Sequence, residues 1–139
     1  MLPCISQKRL PFYLAAADVI MAIIGEFPII EKHASLNKFY DGISAGKPVL
    51  LNYSGWQKTL LEAAKAGFGC QLCNIDEFVE KVLYLNSHRD ELVSIGYNAR
   101  RLAEQFDRDK LAAVALEQME FVLRGISSDA YFHYYSNSQ

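Results

Sequence analysis

At 139 residues and 51% hydrophobic content, the chain is long enough for one domain with a real core and too short for two large ones. Lys and Arg total 14 against 16 Asp and Glu, a formal charge of -2, so there is no basic stripe to neutralise phosphates and nucleic-acid binding is not expected. Cysteines stand only at positions 4, 70 and 73, an odd count without a disulfide framework, which points to a reducing, cytoplasmic setting.

Residues Met1 to Arg9 have no periodicity and would suit a segment cut from a longer protein. Lys8 and Arg9 precede an apolar segment, Leu10 to Gly25, in the manner of a signal peptide. Pro11 opens that segment, Asp18 interrupts it and no cleavage site follows, which argues against export. It also falls short of the roughly 20 apolar residues of a membrane span. Pro11 to Ala17 predicts a short helix with Pro in its first turn. The unbroken run Val19 to Ile24 predicts a strand buried on both faces. Gly25 to Ala34, with Glu26, Pro28, Glu31 and His33, has no repeating pattern. It is expected to be a loop at that strand's carboxyl end, where open α/β sheets carry binding residues.

From Ser35 to Asn52 a polar opening, a short helix pattern, a turn and a strand follow without a gap. Ser35 is the expected cap, and Leu36, Phe39, Tyr40 and Ile43 share one helical face. Gly46 and Pro48 end the helix before Val49-Leu50-Leu51. A helix N-terminus beside a strand end is a natural anion site, because its first N–H groups are unpaired and its dipole favours negative charge. Tyr53 to Trp56 reads as a second loop at the same edge. Gln57 to Ala66 reads as a helix with Leu60, Leu61 and Ala64 inward, closed by Gly67 and Gly69, and Cys70 to Cys73 as a short strand.

Asn74 and Glu77 predict a capping box for a helix ending near Asn86, and Ser87 with Asp90 repeats the pattern before a longer helix with Leu92, Ile95, Ala99, Leu102 and Phe106 inward. Asp107 is expected to cap a last helix reaching Leu123, followed by a peripheral or disordered tail at 125–139. Strand and helix alternate at least three times, which predicts an α/β fold: a Rossmann-like parallel sheet with helices on both faces. Right-handed crossovers then bring loops 25–35 and 53–56 to one sheet edge.

Asn37 and Lys38, at the helix start, suit phosphate contact by backbone N–H. By position alone Asp41 is a solvated helix carboxylate. Gly55 and Trp56 read equally as packing residues or as the lining of a base or sugar pocket. His33 reads as a loop residue rather than a general base. Cys70 and Cys73 form a C-x-x-C pair, whose redox reading suffers from its placement inside the apparent strand.

Four ordered motifs resemble the two-domain GT-B nucleotide-sugar glycosyltransferases, in the large retaining family whose donor-binding domain is C-terminal. They are Pro11-Phe-Tyr-Leu-Ala-Ala-Ala-Asp18-Val, Asn37-Lys-Phe-Tyr-Asp41-Gly-Ile-Ser-Ala-Gly46-Lys-Pro-Val49, Gly55-Trp56 with Glu62, and Gly96-Tyr-Asn-Ala-Arg100. The Asn-Lys opening and the Gly-Trp pair look most like bacterial enzymes of surface-polysaccharide and O-antigen synthesis, such as fucosamine transferases.

The resemblance implies a partial donor domain at 1–124, inactive without the N-terminal acceptor domain and the additional βα units of a complete member. It implies a nucleotide diphosphate-sugar partner with uridine as the base, and a saccharide or lipid-linked acceptor at the inner membrane face. No cofactor or metal is implied. By the same resemblance Ser35, Leu36, Asn37 and Lys38 meet the diphosphate, Asp41 the ribose, and Gly55 and Trp56 the pocket. His33 and Asp41 stand where the family carries two glutamates, and Glu31 offers a carboxylate close to the first position. A non-catalytic α/β interaction domain is the alternative expectation, and a thiol oxidoreductase a third.

Overall fold

The computed structural model describes residues 5–26 and 28–123. Among these, three strands and seven α-helices alternate in a mixed α/β order. Strands β1 (Ile20–Ala22), β2 (Val49–Leu51) and β3 (Gly67–Gly69) form a parallel sheet in the order β1-β2-β3. Ile20, Val49 and Gly67 lie in one register row, and Ala22, Leu51 and Gly69 in another.

Helix α1 (Leu10–Ala16) carries Pro in its first turn, as its sequence predicts. β1 is shorter than the Val19–Ile24 run and is not buried on both faces: Ala22 is buried, but Met21 and Ile23 are exposed. The apolar run marked the strand without showing that only one of its faces is covered. The expected loop at 25–34 contains a helix, α2 (Pro28–His33), with Pro at the first position, where its missing N–H costs no helical bond.

Helix α3 (Asn37–Ser44) follows, and its Gly42 comes against Ile20 and Val49. It leads within a few residues into β2, whose three residues are all fully buried. Helix α4 (Trp56–Ala63) leads into β3. The strand expected at Cys70–Cys73 lies instead at Gly67-Phe68-Gly69, which pairs with β2. Glycine is demanded by close approach there, since a Cβ on Gly69 would stand 2.5 Å from Lys58 Cγ of α4. With no side chains on two of its three residues, β3 carries no apolar signal.

Phe68 faces the other side of the sheet, where the Tyr84 ring of α5 (Ile75–Ser87) lies 5.6 Å from it and Lys81 Nζ 5.8 Å. Helices α3 and α4 thus cover one face and α5 the other. Asn74 caps α5 by accepting from the Glu77 N–H at 3.1 Å. The parallel cap expected of Ser87 does not form. Ser87 ends α5 and donates to the Leu83 and Tyr84 carbonyls, and α6 (Leu92–Ala103) starts from Glu91 without a side-chain cap.

The core gathers Phe39, Ile43, Leu50, Leu51, Tyr53 and Leu61, with Leu85, Ala99 and Leu102 from the later helices. Among the described residues, those up to Glu104 form one compact unit, and those from Gln105, with α7 (Arg108–Leu123), a second. Asp107 caps α7 by accepting from the Asp109 and Lys110 N–H groups. The tail at 125–139 lies outside the described residues. No helix among the described residues is long and apolar enough to cross a membrane.

Candidate functional site

Parallel strands place all their carboxyl ends at one sheet edge. Helices α3 and α4 each run back from that edge to start the next strand, so both begin there. Asn52, just past β2, sews the edge together: its side-chain amide donates to Ile24 O at 2.9 Å and accepts from Ile24 N–H at 2.8 Å.

The starts of α3 and α4 are tied to one another. Leu36, the N-cap of α3, is extended (φ -80°, ψ 131°) and donates its N–H to Gln57 Oε1 of α4 at 3.4 Å. The Phe39 and Trp56 rings meet edge-on with centroids 6.4 Å apart. Gly55 is the N-cap of α4 at φ 104°, a region that strains residues with a Cβ. Neither N-cap supplies a side-chain oxygen. In α3 the Phe39 N–H already donates to Leu36 O at 3.0 Å, whereas the first N–H groups of the two helices, those of Asn37 and Lys38 among them, have no intrahelical acceptor, and the positive ends of two dipoles point at one edge.

Ser35 was the expected cap, but it lies outside the N-cap position and its Oγ bonds the Tyr40 hydroxyl at 3.0 Å. Asp41 is half-buried in the second turn of α3, and no hydrogen bond or ion pair engages its carboxylate among the described residues. Trp56 is 39% exposed beside Gly55, enough to present one ring surface outward while the other packs. Glu31 and His33 fall within α2, and His33 is exposed at its end. The edge thus brings together Leu36, Asn37 and Lys38 with Gly55 and Trp56. Among the described residues, no hydrogen bond, ion pair or ring contact joins His33 to them.

Two residues that sequence reasoning passed over sit behind this edge. Gln57 is 0% exposed and its Oε1 also accepts from the Tyr53 hydroxyl at 2.6 Å. Its Nε2 is the buried side-chain polar atom without a partner among the described residues. Such an atom costs about 1–3 kcal/mol. The available signal was spacing: Tyr53, Gln57 and the fully buried Leu61 recur at i, i+4, which put a polar residue on an inward stripe.

Burial, and secondarily Tyr40, pushes the Tyr53 phenol up to about 12. Below the unfolded value of about 10 both states hold the proton, and stability from this group is complete. As pH rises through 10 toward 12 the unfolded chain ionises first, and the folded state loses ground. Tyr53→Phe lacks this loss, although it forfeits the Gln57 bond, worth about 0.5–1.5 kcal/mol. Urea midpoints of wild type and variant should therefore converge between about pH 9 and about pH 11. A constant gap would remove Tyr53 from the titration.

A cavity of about 580 Å³ lies elsewhere, along β3 between α4, α5 and α6. Its carboxylates are already engaged: Glu62 by the Gly69 N–H, Glu77 by the Gln71 N–H and Asn74, and Glu91 by Tyr84. That leaves few directed groups for a ligand. The C-x-x-C pair also lacks the character of a redox site. Cys70 is buried, and desolvation, with Glu77 adding, pushes its thiol up, away from the thiolate such chemistry needs.

Comparison with protein-family models, curated proteins and solved structures finds no match to this chain. The functional reading therefore rests on the edge itself: two helix starts, a glycine at positive φ, a half-buried carboxylate and an unsatisfied amide.

Proposed function

We propose that this chain binds a nucleotide diphosphate-sugar, with uridine as the base, as the donor-binding part of a retaining GT-B glycosyltransferase in bacterial surface-polysaccharide synthesis. The observation that carries the reading is the convergence of the α3 and α4 N-termini at the carboxyl edge of a parallel sheet. Two adjacent dipole ends with orphan N–H groups suit two linked phosphates. Negative charge developing on a leaving diphosphate would meet donors already in place, without reorganisation when the glycosyl bond breaks. Asp41, one turn into α3, accepts from the ribose hydroxyls, and Trp56 lines the base or sugar pocket. The acceptor, a saccharide or lipid-linked sugar, is taken by a separate domain.

Isothermal titration with UDP and other nucleoside diphosphates tests the reading. Saturable binding with a preference for uridine is expected, and Asp41→Ala should weaken it about tenfold, the loss of one or two hydrogen bonds to a charged group, with an unchanged melting curve. No heat with any nucleoside diphosphate would favour the non-catalytic interaction domain. Unchanged affinity in Asp41→Ala would take Asp41 out of the site.

A further inference from the structure

The side-chain amide of Gln57 has one half fully used and the other half unused. Its orientation is set by chemistry: a backbone N–H can only donate, so the atom facing Leu36 N–H must be the oxygen. The Tyr53 hydroxyl donates to that same oxygen from 2.6 Å. Nε2 is thereby turned away from both and retains two N–H donors, buried, at the junction of the α3 and α4 starts. The first N–H groups of the two helices, those of Asn37 and Lys38 among them, are donors at the same junction. Among the described residues no acceptor engages Nε2, which leaves room for one from outside the chain. It must be an oxygen that takes several hydrogen bonds at once.

We infer that Gln57 Nε2 is a ligand contact, donating to a phosphate oxygen of the bound diphosphate, and that Tyr53 and Leu36 serve to hold the amide in that orientation. This rests on the diphosphate reading of the edge and adds to it a side-chain donor that couples the two helix starts to one ligand. Gln57 is 0% exposed, so contact with Nε2 carries a small local opening of the residues around it.

Nitrogen-resolved NMR of the side-chain amides tests this in the unaltered protein, with the Gln57 pair assigned by its loss in Gln57→Glu. Titrating pyrophosphate should shift the Gln57 pair in step with saturation. UDP binding that leaves this pair unmoved would overturn the proposal while the nucleotide reading stands, and would make an interior water the partner of Nε2. Pyrophosphate binding that moves the pair, with no preference for any nucleoside, would uphold Gln57 and sink the nucleotide reading. Binding of neither probe overturns both.

Gln57→Glu supplies a second readout, because its carboxylate still accepts from Leu36 and Tyr53 but repels the anion. Its pyrophosphate affinity should fall at least about tenfold below wild type at neutral pH, and the deficit should shrink in acid as the buried carboxyl regains a proton and with it a donor. A deficit that is absent at neutral pH, or independent of pH, counts against a direct contact.

Discussion

Phe39→Ala should cost about 3–5 kcal/mol, the range for emptying a buried aromatic site. Phe39 is 0% exposed and its ring lies edge-on to both Tyr40, at 5.2 Å, and Trp56, at 6.4 Å. Against a total stability of about 5–15 kcal/mol, that loss takes a large share. Collapse around the cavity is opposed by the fully buried Val49 and Leu51, which lie on the face of β2 that α3 covers. The measurement is a urea titration followed by the fluorescence of Trp56, the single tryptophan of the chain. The midpoint should drop while the slope stays fixed, because the surface exposed on unfolding hardly changes. A loss below about 1 kcal/mol would mean that the ring is not a core residue. The same variant should weaken UDP binding, since the ring pair links the α3 and α4 starts. Chemical-shift perturbation at saturating UDP separates that effect from unfolding.

How much of this was legible in the sequence depends on what each element is made of. The strand β2 showed itself because all three of its residues are apolar and buried. Helices α5 and α7 showed themselves through caps, since Asn74 and Asp107 each accept from first-turn N–H groups as their spacing predicts. The parallel sheet followed from alternation alone. The position of β3 was not legible because Gly67 is required by the Val49 backbone and Gly69 by the Lys58 side chain, reasons that lie in other elements. α2 was missed because Ile29, Ile30, Glu31 and Lys32 make too few turns for a period to appear.

At the site, the motif residues Leu36 to Lys38 and Gly55-Trp56 converge on the edge that loop topology predicts. Ser35 was read as a cap because polar residues before an apolar helix usually are. Here Tyr40 claims its hydroxyl. Gln57 could not be recognised as unsatisfied from sequence, because its partners Tyr53 and Leu36 come from a loop and from another helix.

Gly96→Ala puts two opposing effects of known size in competition. In a helix interior, alanine is favoured over glycine by about 0.8–1.0 kcal/mol, so propensity alone predicts stabilisation. The added Cβ, however, would stand 2.3 Å from the Gly46 carbonyl oxygen. Ordinary contact begins near 3.4 Å, so α6 and the turn after α3 must separate by roughly 1 Å. That turn has little freedom to move. Gly46 N–H donates to Ile43 O at 3.0 Å, Lys47 N–H to Gly42 O at 3.1 Å, and Pro48 O accepts from Ile20 N–H at 2.9 Å. Arg100 of α6 also bonds Ser44 O across the same junction. Overpacking against a pinned backbone costs about 1–3 kcal/mol, which exceeds the propensity gain. A net loss of up to about 2 kcal/mol is expected, lowering the melting temperature by up to several degrees. The displaced carbonyl lies at the opposite end of α3 from Leu36, so UDP affinity should survive while stability falls. A variant that melts at or above the wild-type temperature would show that α6 does not seat on the Gly46 turn.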